Sequence, residues 1–132
     1  MDLKILEIAS HTDNNKVLKN PTHHSKNKNS ICGDEMEISL IVRDNIVKDV
    51  GYQCNSCVYC QASVSLLSRR IKNRKINEIK EFIESANKMF DDIKITLDKN
   101  WKDFIELLDK SNVSRKECLL LPIKTVCKAL KI

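Results

Sequence analysis

Glycine and proline are nearly missing from this chain of 132 residues, which holds two of each. A loop-rich scaffold is therefore excluded, and regular elements, mostly helix, must dominate. Two glycines also cannot build a Gly-rich loop that cradles phosphate. Aromatic residues are scarce, at one Trp, two Tyr and three Phe, which leaves few rings to stack on bases. No apolar run approaches membrane-spanning length, so no membrane association is expected. The stretch Met1 to Glu7 carries acids among its apolar residues. It lacks the basic region and uninterrupted apolar block of a signal peptide, so a cytoplasmic location is expected. The chain also lacks a nucleophile elbow, a Ser/His/Asp pattern and an H-E-x-x-H helix, which removes the common hydrolytic chemistries.

What is present suits one domain spanning residues 1–132. A chain of this size buries about two-thirds of its unfolded surface, enough for a self-supporting core. The net charge is +5, from 23 Lys+Arg against 18 Asp+Glu. Nucleic acid is not the expected partner, because basic and acidic residues interleave along the helical segments. The excess has a local source in Asn14 to Asn29, which carries lysines and no acid. That Lys/Asn-rich arm, at about residues 11–30, reads first as a solvated segment and second as a docking surface.

Leu3 to Ser10 has helical apolar spacing. His11 to Ser30 is polar, contains Asn20-Pro21 and reads as a loop or as a segment ordered on contact. From Glu35 the period becomes two: Met36, Ile38, Leu40 and Val42 alternate with their neighbours, which predicts a strand with one buried face. Asp44-Asn45 is a tight-turn pair. Ile46, Val47, Val50 and Tyr52 give a second strand. Helical spacing predicts helices from Ala62, with a break at Asn73 to Lys75. Lys94 to Asn100 is ambiguous. A helix carrying Trp101, Phe104, Ile105 and Leu108 then ends at Ser111-Asn112, and a last helix runs from Cys118 to Ile132 with Pro122 in its first turn. Strands followed by covering helices make an α+β domain.

The chemistry lies in six cysteines. In a reducing compartment these are ligands or reactive thiols before they are disulfides. Cys32-Gly33-Asp34 precedes the first predicted strand. Gly33 allows the turn that brings a thiolate and a carboxylate to one ion, although the tripeptide alone reads equally as a loop with an incidental cysteine. Cys54, Cys57 and Cys60 form a C-x-x-C-x-x-C run between a strand and a helix start, where the helix dipole favours anionic sulfur. Three thiols in seven residues suit zinc or iron, and a C-x-x-C pair also reads as a redox couple. Cys118 lies at a helix start beside Arg115 and Lys116, which favour its thiolate. Cys127 falls on an apolar helical stripe and reads as core. His11, His23 and His24 read as exposed imidazoles.

In order and context these motifs resemble the U-type iron–sulfur assembly proteins. The order is Cys-Gly-Asp, a strand, Asp44-Asn-Ile-Val-Lys-Asp-Val-Gly-Tyr52, a cysteine, Ala62-Ser-Val-Ser65, a helix, Arg115 and Cys118, Leu121-Pro122 and a helix. Among those proteins the chain is most similar to the SufU branch, rather than to IscU or the NifU N-terminal domain. The long interval between Cys57 and Cys118 carries that preference, as does Arg115 where IscU-like proteins have a histidine.

The resemblance implies a small three-stranded antiparallel sheet packed by helices. It implies a metal, zinc or alternatively iron or an Fe–S cluster, held by Cys32, Asp34, Cys57 and Cys118. Cys127 is the rival fourth ligand in an IscU-like alignment. It further implies a zinc-dependent sulfurtransferase-like partner of a SufS-like cysteine desulfurase, with Cys32 accepting sulfur and Arg115 supporting it. The alternative is a scaffold that hands a cluster to a downstream scaffold or apo-protein, and a third reading is a structural zinc-binding interaction module. Cys54 and Cys60 depart from the family pattern as additional thiols. They would bind metal, relay sulfur or simply fill space.

Overall fold

The computed structural model describes residues 3–31, 33–91 and 95–132. Strands β1 (His23–Lys28), β2 (Glu35–Arg43) and β3 (Ile46–Asn55) form an antiparallel sheet in the order β1-β2-β3. Helices α1 (Leu3–Ala9), α2 (Val58–Ile71), α3 (Ile76–Ala86), α4 (Phe104–Leu107) and α5 (Lys116–Leu130) complete the domain, with 3-10 turns at Lys99–Trp101 and Lys110–Arg115.

The period-two pattern sets the sheet's buried face. Met36, Ile38 and Leu40 of β2 are buried and lie opposite Cys54, Tyr52 and Val50 of β3. Asp44 and Asn45 have φ of 53° and 61°, the left-handed pair that a tight hairpin demands and that Asp and Asn tolerate. Asn73, at φ 67°, turns the chain between α2 and α3.

Helix α2 runs through the interior and packs on α1, β3 and α5, while α5 also lies against β1 and β2. Three serines let the neighbours of α2 come close without orphaned hydroxyls. Ser63 donates to the Leu119 carbonyl at 2.6 Å, Ser65 to the His11 carbonyl at 2.5 Å, and Ser68 to the Ser65 carbonyl at 2.8 Å. Phe82 of α3 stacks on Trp101 with centroids 4.3 Å apart and meets Phe104 at 4.7 Å, so all three rings are core.

Several local expectations need correction. The polar arm is not all loop, because His23–Lys28 pairs along β2 as an edge strand. Only Ser25 of that strand is buried, so no apolar alternation announces it. Helix α2 begins at Val58, not Ala62, because Val58 and Tyr59 pack on the core. The predicted helix around Trp101 to Leu108 is reduced to Phe104–Leu107 between 3-10 turns. Pro122 lies inside α5 rather than in its first turn. Of the ambiguous Lys94 to Asn100 segment, Lys94 lies outside the described residues. Among the described residues, no helix is long and apolar enough to cross a membrane.

Candidate metal centre

The loop before β2 is tied at its base. Asn29 N–H donates to the Asp34 carbonyl and Gly33 N–H to the Asn29 carbonyl, both at 2.8 Å. The Asn29 side chain also accepts from Ile31 N–H at 3.0 Å. Gly33 has φ 74°, where a Cβ would be strained, and this turn delivers Asp34 to the start of β2. Cys32 itself lies outside the described residues.

Asp34 is 5% exposed and aims at the beginning of α2. Its Oδ1 accepts from Cys57 N–H at 3.0 Å and its Oδ2 from Cys57 Sγ at 3.5 Å. Cys57 is the N-cap residue of α2, with extended φ/ψ of −70° and 167°. Cys118 stands in the first turn of α5 and is 4% exposed. One donor atom from each of Asp34, Cys57 and Cys118 lies within 4.8 Å of the other two. Two helix starts thus converge here, and the positive end of each helix dipole favours negative charge.

Two sulfurs and one carboxylate oxygen, largely withdrawn from water, fit a borderline divalent cation such as zinc. The carboxylate is already oriented by its two bonds to Cys57, as a ligand's supporting contacts would require.

The other sequence candidates fall elsewhere. Cys127 is half-buried near the far end of α5, and its Sγ donates to the Ile132 carbonyl at 2.5 Å. Cys54 is on β3, half-buried, and borders an open groove of about 720 Å³ with Lys26, Lys28 and Lys128. Cys60 is fully buried in the first turn of α2, not ahead of the helix, and burial pushes its thiol well above the usual value. Arg115 lies over the Tyr59 ring, 5.3 Å from its centroid. Tyr59 was not singled out by sequence, and its place in a thiol-rich run was the only signal. His24 sits 3.5 Å from Glu37 on the sheet surface.

The family model for the NifU-like N-terminal domain matches residues 2–99. The chain is 35% identical over 133 residues to the iron–sulfur cluster assembly scaffold protein IscU of Thermotoga maritima, covering 96% of this chain and 89% of that one. The crystal structure of a nitrogen-fixing NifU-like protein (N-terminal) from Brucella abortus superposes with a TM-score of 0.90 at 20% identity, over 98% of this chain and 91% of that one. A protein from Fervidobacterium islandicum AW-1, proposed as an iron–sulfur cluster assembly scaffold for the SUF system, gives 0.91 at 24% identity, over 98% and 96%.

Proposed function

The chain belongs to the NifU-like N-terminal domain family, and from that premise we propose that it serves iron–sulfur cluster assembly by accepting sulfur from a cysteine desulfurase at a metal-binding site. The observation that carries this reading is the convergence of Asp34, Cys57 and Cys118 within 4.8 Å. Backbone bonds from Asn29 and Gly33 tie the turn that leads into Asp34. Cys32, Asp34, Cys57 and Cys118 are the residues that would hold zinc. A bound zinc ion supplies positive charge that keeps its sulfur donors deprotonated at neutral pH.

The chain's own residues account for the rest. The Cys32 thiolate attacks the outer sulfur of the desulfurase's cysteine persulfide. A new S–S bond forms at Cys32, the partner's S–S bond breaks, and the partner cysteine leaves as a thiolate, with no net oxidation. Asp34 fixes the backbone and thiol of Cys57 through its two oxygens. Arg115, the N-cap residue of α5 and steadied on Tyr59, adds positive charge near the turn that holds Cys118.

The test is desulfurase activity with a SufS-like enzyme in the presence of the chain. Wild type should stimulate it and Cys32→Ala should not; equal stimulation by the variant would sink the transfer reading.

The 35% identity to a protein named as an IscU scaffold favours a second reading, in which iron and sulfide are cargo assembled on the same residues and passed to an apo-protein. The purified protein separates the two. Colourless material with zinc supports transfer, whereas brown material with iron and labile sulfide, prepared anaerobically, supports the scaffold. A purely structural zinc module is tested by chelation, since such a module unfolds when its metal is withdrawn.

A further inference from the structure

The metal site uses only one thiol of the C-x-x-C-x-x-C run. The structure gives the next one a distinct setting. Cys57 caps α2 and is half-buried, while Cys60 stands three residues on and is 0% exposed. The first helical turn is closed, because Gln61 N–H donates to the Cys57 carbonyl at 3.0 Å. In such a turn the Cα atoms of residues three apart are separated by about 5 Å. A disulfide accepts about 4.4–6.8 Å, so Cys57 and Cys60 can be joined without unwinding the helix.

The two thiols differ in access. Cys57 is open to a reactant, and Cys60 is shielded from everything except its neighbours. Burial raises the Cys60 thiol, so it keeps its proton until it reacts. An accessible N-cap cysteine followed by an enclosed partner is the arrangement of a dithiol couple, in which the second sulfur attacks only what the first is carrying.

We propose that Cys57 and Cys60 form a reducing dithiol that converts sulfane sulfur carried on Cys57 into sulfide at the metal-binding site. Cys57 receives the sulfur from Cys32 or from a partner's persulfide by thiolate exchange. Cys60 Sγ then attacks Cys57 Sγ, and the Cys60 proton passes to the outer sulfur of the Cys57 persulfide anion. The Cys57–Cys60 S–S bond forms, the bond to the outer sulfur breaks, and hydrosulfide leaves through the half-exposed side of Cys57. The outer sulfur gains two electrons and the thiol pair loses two. An external dithiol reductant restores the pair. The disulfide also withdraws Cys57 from Asp34 and Cys118, so sulfide release and loss of a metal ligand coincide. The inference rests on the preceding reading in one respect, that sulfane sulfur reaches this site.

The test uses the full chain, wild type beside Cys60→Ser, Cys60→Ala and Cys54→Ser. In one arm a cysteine desulfurase and L-cysteine deliver sulfur without added reductant; in the other, inorganic polysulfide is the only donor. Intact mass, peptide mapping after alkylation and free sulfide are measured. Wild type and Cys54→Ser should lose about 2 mass units, link Cys57 to Cys60 and release about one sulfide per chain. Both Cys60 variants should keep about 32 extra mass units on Cys57 and release at least about tenfold less sulfide. Two variants guard against one that fails to fold. Equal sulfide release from the Cys60 variants overturns the inference, and so does a disulfide mapped to other cysteines. If the desulfurase arm loads no sulfur but polysulfide yields the Cys57–Cys60 link and sulfide, the transfer function fails while the dithiol stands. If polysulfide yields no such link, the dithiol fails.

Discussion

Replacing Cys118 by Ser should empty the metal site, and replacing Cys127 by Ser should leave it full. The two cysteines are nine residues apart on one helix. At about 1.5 Å per residue, the helix carries Cys127 some 13 Å beyond Cys118. Zinc–sulfur bonds are about 2.3 Å, so two sulfurs on one ion stand no more than about 4.6 Å apart. Of the two, Cys118 comes close to that limit, with its donor atom within 4.8 Å of those of Asp34 and Cys57, while Cys127 lies far beyond it. Cys127 is committed instead to the Ile132 carbonyl. Even outer-shell losses cost about 10–100-fold in metal affinity, so removing a sulfur donor should cost more than about 100-fold. The assay is zinc content per chain after dialysis against a graded chelator, with a thermal melt of each variant. Full zinc in Cys118→Ser, or zinc lost from Cys127→Ser with its melt unchanged, would refute the reasoning.

Gly51→Ala should destabilise by about 2–3 kcal/mol, measured by urea unfolding. Its Cβ would meet the Lys16 carbonyl oxygen at 2.6 Å and Leu18 Cγ at 3.0 Å, forcing the arm off β3 and stretching the bond from Tyr52 N–H to the Asn14 carbonyl. Phe82→Ala should cost about 3–5 kcal/mol in the same assay, because it vacates the contact with Trp101 and Phe104. Partial burial pushes the Asp49 carboxyl up, but the Val50 amide, Lys16 and Lys72 outweigh it and hold the group below its ordinary value. Its stabilisation is therefore complete above the unfolded value near about 4 and is lost as pH falls through the folded one. Asp49→Asn should be less stable than wild type by about 0.2–1 kcal/mol at pH about 7, with the gap closing in acid. A gap that persists in acid would contradict this. Chelation should leave far-UV circular dichroism intact, since the core that Cys118 joins is built chiefly of apolar side chains from Ile5 to Leu130.

Legibility in the sequence followed the strength of each local signal. Met36, Ile38 and Leu40 alternate against water, so β2 was readable, and Asp44-Asn45 named its own turn. Strand β1 was not, because an edge strand of Lys, Asn and His buries only Ser25 and owes its existence to pairing with β2. Helix α5 tolerates Pro122 because buried Leu119, Leu120, Leu121 and Ile123 hold the chain helical around it, a tertiary effect that local rules miss. At the site, Asp34, Cys57 and Cys118 were singled out through family resemblance rather than spacing. Cys118 was preferred to Cys127 for its interval from Cys57 and for Arg115, and the length of the helix adds a physical reason. The stacking of Arg115 on Tyr59 left no sequence trace, since a ring and a guanidinium far apart in sequence meet only in the folded chain.

The hydroxyl of Ser63 has a consequence beyond satisfying a carbonyl. It joins α2 to α5 at Leu119, the residue after Cys118. Rotating α2 about its axis, or sliding it by a turn, would strand that hydroxyl and that of Ser65, which donates to the His11 carbonyl, at about 1–3 kcal/mol each. The interior therefore indexes one thiol-bearing helix against the other as a keyway indexes a shaft. The separation between Cys57 and Cys118 is machined during folding, before any ion or sulfur arrives. A guest of the wrong size must deform the core, not a loop.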